Sequence, residues 1–428
     1  MATEHTESRR EISQRARMAG GQPISQLMAK ALMNPTLISL AAGFVDPASL
    51  PVDTAQAAIA DVMSQRDSAE AALQYGTTLG HPPLREAILA RELAADNQAS
   101  ARSDISSDQV LITAGSNQLL HLVLETLCDP GDIVLCTAPT YLVVLGTMAN
   151  LGVRAIGVNT YDRGIVPSDL TQTLERLDAA NELSRVKAIY LVTYFDNPRG
   201  VTLAASRRQQ VLEVAHHWSR QGAIRVIEDA AYRELRYDGD DVASLFGLDE
   251  DGGTVILAGT FSKSFSPGIR VGWGILPADL IGPVLDQKGN IDFGSPNFNQ
   301  HVMHQILATD AYDTHIKRLR QAYRVKRDAM LVAAEEVLAP MDGVRWGKPC
   351  GGLYIWVELP EHIDTGPQGQ LFNVALKEGM LYVPGEFFFP GEGEPRRTNC
   401  LRLSFGVQTQ VGIAAGMQAL GRALLSVC

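Results

Sequence analysis

The sequence predicts an α/β protein with a large domain built on a mostly parallel, helix-covered sheet and a smaller α+β domain assembled from both chain ends. Between about residues 72 and 300, short apolar runs alternate with longer amphipathic stretches, which is the βαβ pattern. The flanking segments lack this alternation and contain long helical patterns such as 312–338. We therefore expect three parts: residues 1–71 as an N-terminal segment and part of the small domain, 72–300 as the large domain, and 301–428 as the C-terminal small domain.

Seven runs in the central region are predicted to be buried strands. They are short, rich in β-branched residues and bounded by turn residues, as strands covered on both faces are. The predicted strands are residues 110–113, 133–136, 155–158, 188–194, 224–227, 255–258 and 270–275. Because ligands of open α/β sheets bind beyond the carboxyl ends of the strands, the residues that follow each run are the candidates for a site.

Composition favours a small-molecule partner. The 428 residues carry a net charge of -11, which disfavours binding to nucleic acid or to an anionic membrane. The polar N-terminus lacks the apolar centre of a signal peptide, and no run of about eighteen apolar residues follows. The five cysteines are scattered and form no C-x-x-C pair, so we expect reduced thiols and a cytoplasmic location.

Two predicted strands end in polar turns. Residues 196–200 read Asp-Asn-Pro-Arg-Gly, a turn in which Asn197 offers an amide to the crevice. Residues 228–232 read Glu-Asp-Ala-Ala-Tyr, and a carboxylate such as Asp229 in a covered sheet requires a positive partner. Taken singly, the first motif can be an ordinary turn, and Asp229 can be a helix cap or a solvated side chain.

The segment 259–270 places hydroxyls, one lysine and one arginine between apolar anchors. Several hydroxyls with Arg270 suit a phosphate group. A lysine partly desolvated beside cations, here Lys263, becomes a nucleophile toward an aldehyde, although a plain surface lysine is the ordinary alternative. No G-x-x-x-x-G-K-[ST] motif is present, so this is no P-loop.

Two further strand ends complete the pattern. Residues 115–117 open a helical pattern, and a helix N-terminus binds anions, although a simple capped helix fits as well. Tyr141 places an aromatic ring at the same edge, unless it is a core tyrosine. A lysine, a strand-end carboxylate, an amide, an aromatic ring and a phosphate clamp at one sheet edge are what pyridoxal 5′-phosphate (PLP) requires.

These motifs together resemble fold-type I PLP enzymes of the class I/II aminotransferase family over residues 38–405. The nearest subgroup resembles the aminoadipate, kynurenine and aromatic aminotransferases and the catalytic domain of MocR-type regulators. The resemblance implies that the large domain binds PLP and that catalysis depends on four residues: Lys263 as the Schiff-base lysine, Asp229 at the ring nitrogen, and Asn197 and Tyr232 at the 3-oxygen.

The resemblance also implies the other binding residues. Those expected at the cofactor phosphate are Ser116, Asn117, Thr260, Ser262 and Arg270, while Tyr141 is expected to stack on the ring. Tyr75 matches the tyrosine that such dimers lend to the neighbouring subunit's phosphate, which implies a homodimer. Arg402 would grip the substrate α-carboxylate, a task suited to a planar guanidinium, and Gly43 and Asn197 would line the substrate side.

The expected reaction moves the amino group of an L-amino acid to a 2-oxo acid by a ping-pong mechanism through the Lys263 Schiff base. Two departures from the family, Arg199 in the turn and Phe44-Val45-Asp46 after Gly43, keep open a PLP-dependent β-elimination lyase, racemase or oxidase. A PLP-binding regulator is the more distant alternative. We expect no metal site, because His216 and His217 are adjacent.

The side-chain pocket is expected to include residues 24–28, and the subgroup favours aromatic, branched-chain or aminoadipate-like amino acids.

Overall fold

A nine-stranded sheet forms the centre of the molecule in the computed structural model, which describes residues 12–25, 27, 33–34, 36–41, 43–97 and 105–427. Smaller strands pair outside it. Numbered along the chain, the strands are β1 Ile38–Ser39, β2 Val110–Thr113, β3 Ile133–Ala138, β4 Arg154–Tyr161, β5 Gly164–Ile165, β6 Val186–Val192, β7 Arg225–Asp229, β8 Val255–Thr260, β9 Gly272–Ile275, β10 Arg345–Trp346, β11 Tyr354–Glu358, β12 Met380–Leu381, β13 Val383–Pro384, β14 Glu392–Gly393 and β15 Cys400–Ser404.

Helices pack against these strands. Those of the described residues are α1 Gln14–Met18, α2 Val52–Met63, α3 Arg66–Leu73, α4 Pro82–Ala95, α5 Ser116–Leu127, α6 Leu142–Leu151, α7 Pro167–Ala179, α8 Ala205–Trp218, α9 Leu245–Leu248, α10 Ala278–Asp292, α11 Asn297–Leu307, α12 Ala311–Leu338, α13 Gln370–Lys377 and α14 Gln410–Leu425. None of them is long and apolar enough to cross a membrane.

The central sheet has the order β14-β4-β3-β6-β7-β8-β9-β2, with β5 paired to β4. Along this path only β9 runs against its neighbours. Strands β2, β3 and β8 are buried along their whole length, which explains why they read as continuous apolar runs. The predicted mostly parallel, helix-covered sheet is confirmed, and β2, β3, β6, β7 and β8 all end at one edge.

The smaller unit joins both chain ends. Strand β1 pairs with β12, and a four-stranded antiparallel sheet has the order β10-β11-β15-β13. Helices α12 and α14 pack against each other beside these sheets. In the four-stranded sheet, Arg402 on β15 lies directly opposite Trp356 on β11. Domain boundaries after residues 71 and 300 stay a prediction.

Observed strand ends differ from the predicted ones by a few residues. The run predicted as 188–194 ends as a strand at Val192, because the chain turns into the loop that carries Asn197. The run predicted as 270–275 begins pairing only at Gly272, because Arg270 adopts the left-handed conformation (φ 49°) that ends a short 3-10 turn.

Candidate active site

A cavity of about 370 Å³ lies at the carboxyl ends of the sheet strands and extends to the smaller unit. Twelve of the thirteen predicted site residues line it, and the exception is Tyr75. The predicted residues in the wall are Gly43, Ser116, Asn117, Tyr141, Asn197, Asp229, Tyr232, Thr260, Ser262, Lys263, Arg270 and Arg402. The remaining wall contains apolar residues of the N-terminal half, namely Ile24, Phe44, Leu142, Val143 and Val192, together with Ala231, Pro267 and Tyr354.

Asp229 is a buried carboxylate that lacks a positive partner within the part of the chain described. It ends β7, only 3% of its surface is exposed, and its oxygens accept from Tyr190 Oη (2.8 Å) and from the backbone N–H of Ala231 (3.1 Å). Burial raises the pKa of Asp229, and the two hydrogen bonds oppose that rise only in part. A cation placed against this carboxylate would therefore be strongly favoured.

Lys263 follows β8 by three residues and projects into the cavity. Its Nζ donates a 2.7 Å hydrogen bond to the carbonyl oxygen of Gly43, which holds the amine beside the segment that follows β1. Gly43 leaves little room there, because a Cβ atom on it would lie 2.5 Å from the hydroxyl of Tyr354.

Arg402 is a buried cation whose described partners are neutral. Its Nη1 donates to Asn197 Oδ1 (2.8 Å), its Nη2 donates to the carbonyl of Ala41 (2.7 Å), and its Nε has no partner among the described residues. Burial lowers the pKa of Arg402. A carboxylate from a ligand would complete this site.

Hydrogen bonds within the turn after β6 position Asn197. The backbone N–H and carbonyl of Asp196 bond to Val201 and Gly200, and its carboxylate accepts from Val201 N at 2.7 Å. Gly200 has φ 72° and packs on Pro349, where a Cβ would lie 2.8 Å away. With Oδ1 bound to Arg402, the Asn197 amide nitrogen remains available to a ligand.

Arg270 lies beside the N-terminus of α5. Arg270 Nη2 donates to the carbonyl of Ala114 (2.7 Å) beside the free backbone N–H groups of Ser116 and Asn117. Gly115 permits this approach, because φ is 86° and a Cβ would lie 2.5 Å from Arg270 Nη2. Thr260 and Ser262 share a 3.0 Å hydroxyl hydrogen bond nearby. Together these groups form a cradle for an anion.

Three tyrosines, Tyr141, Tyr232 and Tyr354, also line the cavity. The hydroxyls of Tyr232 and Tyr354 lie 3.1 Å apart, and Tyr141 donates to Asn117 Oδ1 at 3.4 Å. Burial raises the pKa of Tyr141 and that of Tyr232. Burial also opposes ionisation of Tyr354, yet Arg402 and Lys263 hold its pKa below the ordinary value.

The predicted residue Tyr75 lies outside the cavity. It is 83% exposed, and its ring edge contacts Phe293 at 5.7 Å between centroids. Arg199 also lies outside: it pairs at 3.5 Å with Asp162 and lines a separate cleft. Phe44, by contrast, lines the cavity. Of the two departures noted in the sequence, only the one at Phe44 thus reaches the site.

Sequence reasoning missed two residues of this site. Tyr190 lies inside a buried apolar strand, and Tyr354 begins another, so both have the pattern of core residues. Their hydroxyls bond to Asp229 and Tyr232, respectively. A buried tyrosine needs a hydrogen-bond partner, and this requirement was the only available signal.

Comparison with known proteins identifies the family. The model of aminotransferases of class I and II matches residues 35–417, so the chain belongs to this family and is an aminotransferase. The aromatic-amino-acid aminotransferase 1 of Thermococcus litoralis is 35% identical over 91% of this chain and 88% of that protein. The 2-aminoadipate transaminase of Thermus thermophilus is 34% identical over 92% of both chains.

A solved structure agrees with the sequence relatives. The kynurenine aminotransferase of Pyrococcus horikoshii, in complex with PMP, superimposes with a TM-score of 0.88 over 98% of each chain at 34% identity. The resemblance predicted from the motifs, including the aromatic, aminoadipate and kynurenine subgroup, is confirmed.

Proposed function

We propose that the chain is a PLP-dependent enzyme that moves the amino group of an L-amino acid to a 2-oxo acid in a ping-pong reaction at Lys263. The observation that carries the proposal is the pair of unmatched buried charges in one cavity. The carboxylate of Asp229 lacks a described cation, and the guanidinium of Arg402 lacks a described anion. A ligand with a cationic ring nitrogen and a substrate with an α-carboxylate would satisfy both.

The cavity residues fit the parts of PLP. Asp229 would hold the ring nitrogen in its charged form, and Tyr141 would lie against the ring. Asn197 and Tyr232 would donate to the 3-oxygen. The residues assigned to the phosphate are Ser116, Asn117, Thr260, Ser262 and Arg270. When bound, PLP supplies an electron sink for the charge that develops on the substrate Cα.

Residues of the chain perform the remaining steps. Arg402 binds the α-carboxylate in a two-pronged geometry and thereby orients the Cα–H bond toward Lys263. Once released from the cofactor, the Lys263 amine would take the proton from the substrate Cα and deliver it to carbon C4′ of the cofactor. The carbonyl of Gly43, which accepts from Nζ at 2.7 Å, keeps the amine in place during this transfer.

Reductive trapping tests the assignment of Lys263. Borohydride treatment of the PLP-loaded protein should fix the cofactor to the peptide that contains Lys263, as peptide mass analysis would detect. The variant Lys263→Ala should show neither the fixed cofactor nor turnover. Label on another lysine, or turnover that survives in Lys263→Ala, would contradict the proposal.

The substrate side of the cavity favours a large or apolar side chain. Ile24, Phe44 and Val143 line it, and no acidic side chain besides Asp229 is among its described wall residues. The relatives named above act on aromatic amino acids, 2-aminoadipate and kynurenine. We therefore expect aromatic, branched-chain or aminoadipate-like donors. Two residues of the predicted 24–28 segment, Gln26 and Met28, lie outside the described residues.

We further propose a homodimer that shares its sites through Tyr75. Tyr75 contacts the ring of Phe293, and both side chains are exposed, as an interface between subunits would require of them in the free chain. Mixing Lys263→Ala with Tyr75→Ala subunits tests the sharing. Hybrids should regain one intact site, formed by one subunit's Lys263 and the other's Tyr75. Absence of any regained activity in proven hybrids would contradict the role of Tyr75.

We expect the partners to be small-molecule substrates, an amino acid and a 2-oxo acid. We do not expect binding to nucleic acid or to a membrane, because the net charge of -11 disfavours both. The four described cysteines are free thiols, which supports a cytoplasmic location.

A further inference from the structure

Tyr354 lies in the cavity close to the positive side chains of Arg402 and Lys263. It begins β11, is buried, and its hydroxyl lies 3.1 Å from that of Tyr232. The guanidinium of Arg402 lies over the face of its ring, 4.2 Å from the ring centroid. Near its hydroxyl lies Gly43, whose carbonyl holds Lys263. No role was assigned to Tyr354 from the sequence.

The hydrogen bond between the two phenols has a preferred direction. A cation over an aromatic face attracts the electrons of the ring and makes the phenol a better proton donor. Arg402 lies over the ring of Tyr354, and the pKa of Tyr354 is lowered whereas that of Tyr232 is raised by burial. The cation over its ring and the lowered pKa favour Tyr354 as the donor and the oxygen of Tyr232 as the acceptor.

This direction determines where the Tyr232 proton points. A phenol that accepts from one side keeps its own O–H for another partner, and a chain of hydrogen bonds strengthens each member. We propose that Tyr354 is a positioning residue that donates to Tyr232 and thereby directs the Tyr232 proton to the cofactor's 3-oxygen. The inference rests on the proposed PLP function, because the 3-oxygen belongs to that cofactor.

The consequence is an electrostatic effect on Lys263. A stronger hydrogen bond at the 3-oxygen stabilises negative charge there, and this lowers the proton affinity of the nitrogen that joins Lys263 to the cofactor. The titratable or charged groups facing Tyr354 from the surrounding elements are Tyr141, Tyr232, Lys263, Tyr323 and Arg402.

A pH titration of the cofactor's absorption in the holoenzyme tests the proposal. Tyr354→Phe removes only the hydroxyl and should raise the midpoint by roughly half a pH unit, a size expected of one strengthened hydrogen bond. The matched control is Tyr382→Phe, a buried tyrosine bonded to the Thr365 carbonyl outside the cavity. The control should leave the midpoint unchanged.

A second pair of variants separates action through Tyr232 from a general structural effect. In a Tyr232→Phe background, adding Tyr354→Phe should leave the midpoint where Tyr232→Phe alone puts it. An unchanged or lowered midpoint in the single Tyr354→Phe variant, or an equal shift in both backgrounds, overturns the proposal. If the wild-type protein binds no PLP, the proposed function itself fails, and this result is distinct from an unshifted midpoint.

Discussion

Arg402 donates a 2.8 Å hydrogen bond from Nη1 to Oδ1 of Asn197, although 205 residues separate them in the chain. Arg402 belongs to β15 of the smaller sheet, and Asn197 belongs to the turn after β6 of the central sheet. The bond crosses the cavity and links the group proposed for the substrate carboxylate to the group proposed for the cofactor's 3-oxygen. We therefore expect this bond to couple substrate binding to cofactor binding.

Replacing Arg402 should impair the reaction of the substrate much more than it lowers the stability of the folded protein. We expect Arg402→Gln to lower kcat/KM by roughly 10²–10³-fold, the loss typical of truncating one partner of a buried charge pair. The free protein should lose little stability, because a buried cation with neutral partners is removed. Steady-state kinetics and thermal unfolding measure the two effects. The surface variant Arg422→Gln is the control, and equal kinetic losses in both variants would contradict the assignment.

Changes at Asp229 and at its partner Tyr190 should form a graded series. Asp229→Asn removes the negative charge, and we expect turnover to fall by about 10²-fold or more, the scale of losing one electrostatic stabiliser. Tyr190→Phe removes only the 2.8 Å hydrogen bond and should cost roughly 10-fold, as for residues that orient a functional group. Single-turnover kinetics with a good donor measures both. A larger loss in Tyr190→Phe than in Asp229→Asn would refute this order.

An alanine at Gly115 should weaken cofactor binding. The residue has φ 86° and ψ 160°, a conformation that costs an L-residue about 1–3 kcal/mol, and a Cβ would lie 2.5 Å from Arg270 Nη2. We expect PLP affinity to fall by at least about 10-fold in Gly115→Ala, measured by equilibrium titration. Gly282→Ala, in α10 with open space around it, is the control and should bind PLP normally.

Stability should fall as the pH decreases from 6.5 toward 4. The ring of His81 stacks on that of His301 at 3.9 Å and lies 5.5 Å from that of His304. Burial first, and then these histidines and Arg85, lower the pKa of His81 to about 4. Between pH 6.5 and 4 the unfolded chain binds a proton that the folded protein does not, so acid favours unfolding.

The variant His81→Asn tests this pH dependence by urea unfolding at several pH values. It should reduce the slope of the unfolding free energy in that window by less than the one-proton ceiling of about 1.4 kcal/mol per pH unit, since His81 is only partly buried. His81 is the N-cap residue of α4, and asparagine is a favourable residue at that position, so the substitution should not weaken the start of the helix. His362→Asn, an exposed histidine, is the control. Parallel curves for wild type and His81→Asn would contradict the mechanism.

Strand ends were predictable because buried parallel strands leave continuous apolar runs and their carboxyl ends share one edge. Lys263, Asp229 and Asn197 follow such runs and were found in this way. Arg402 came from family resemblance, because an arginine on a short strand carries no local signal. Tyr354 was missed for a physical reason: its partners Gly43, Tyr232 and Arg402 are distant in sequence, and only the three-dimensional fold unites them.

Amino-group transfer at Lys263 is tested by the absorption spectrum of the PLP-loaded protein, recorded while single L-amino acids are added without an oxo acid. We predict that an aromatic, branched-chain or aminoadipate-like donor converts the band of the Lys263-bound cofactor to that of pyridoxamine phosphate. A 2-oxo acid should then restore the original band. A band that no amino acid converts, or conversion that a 2-oxo acid does not reverse, would contradict amino-group transfer at Lys263.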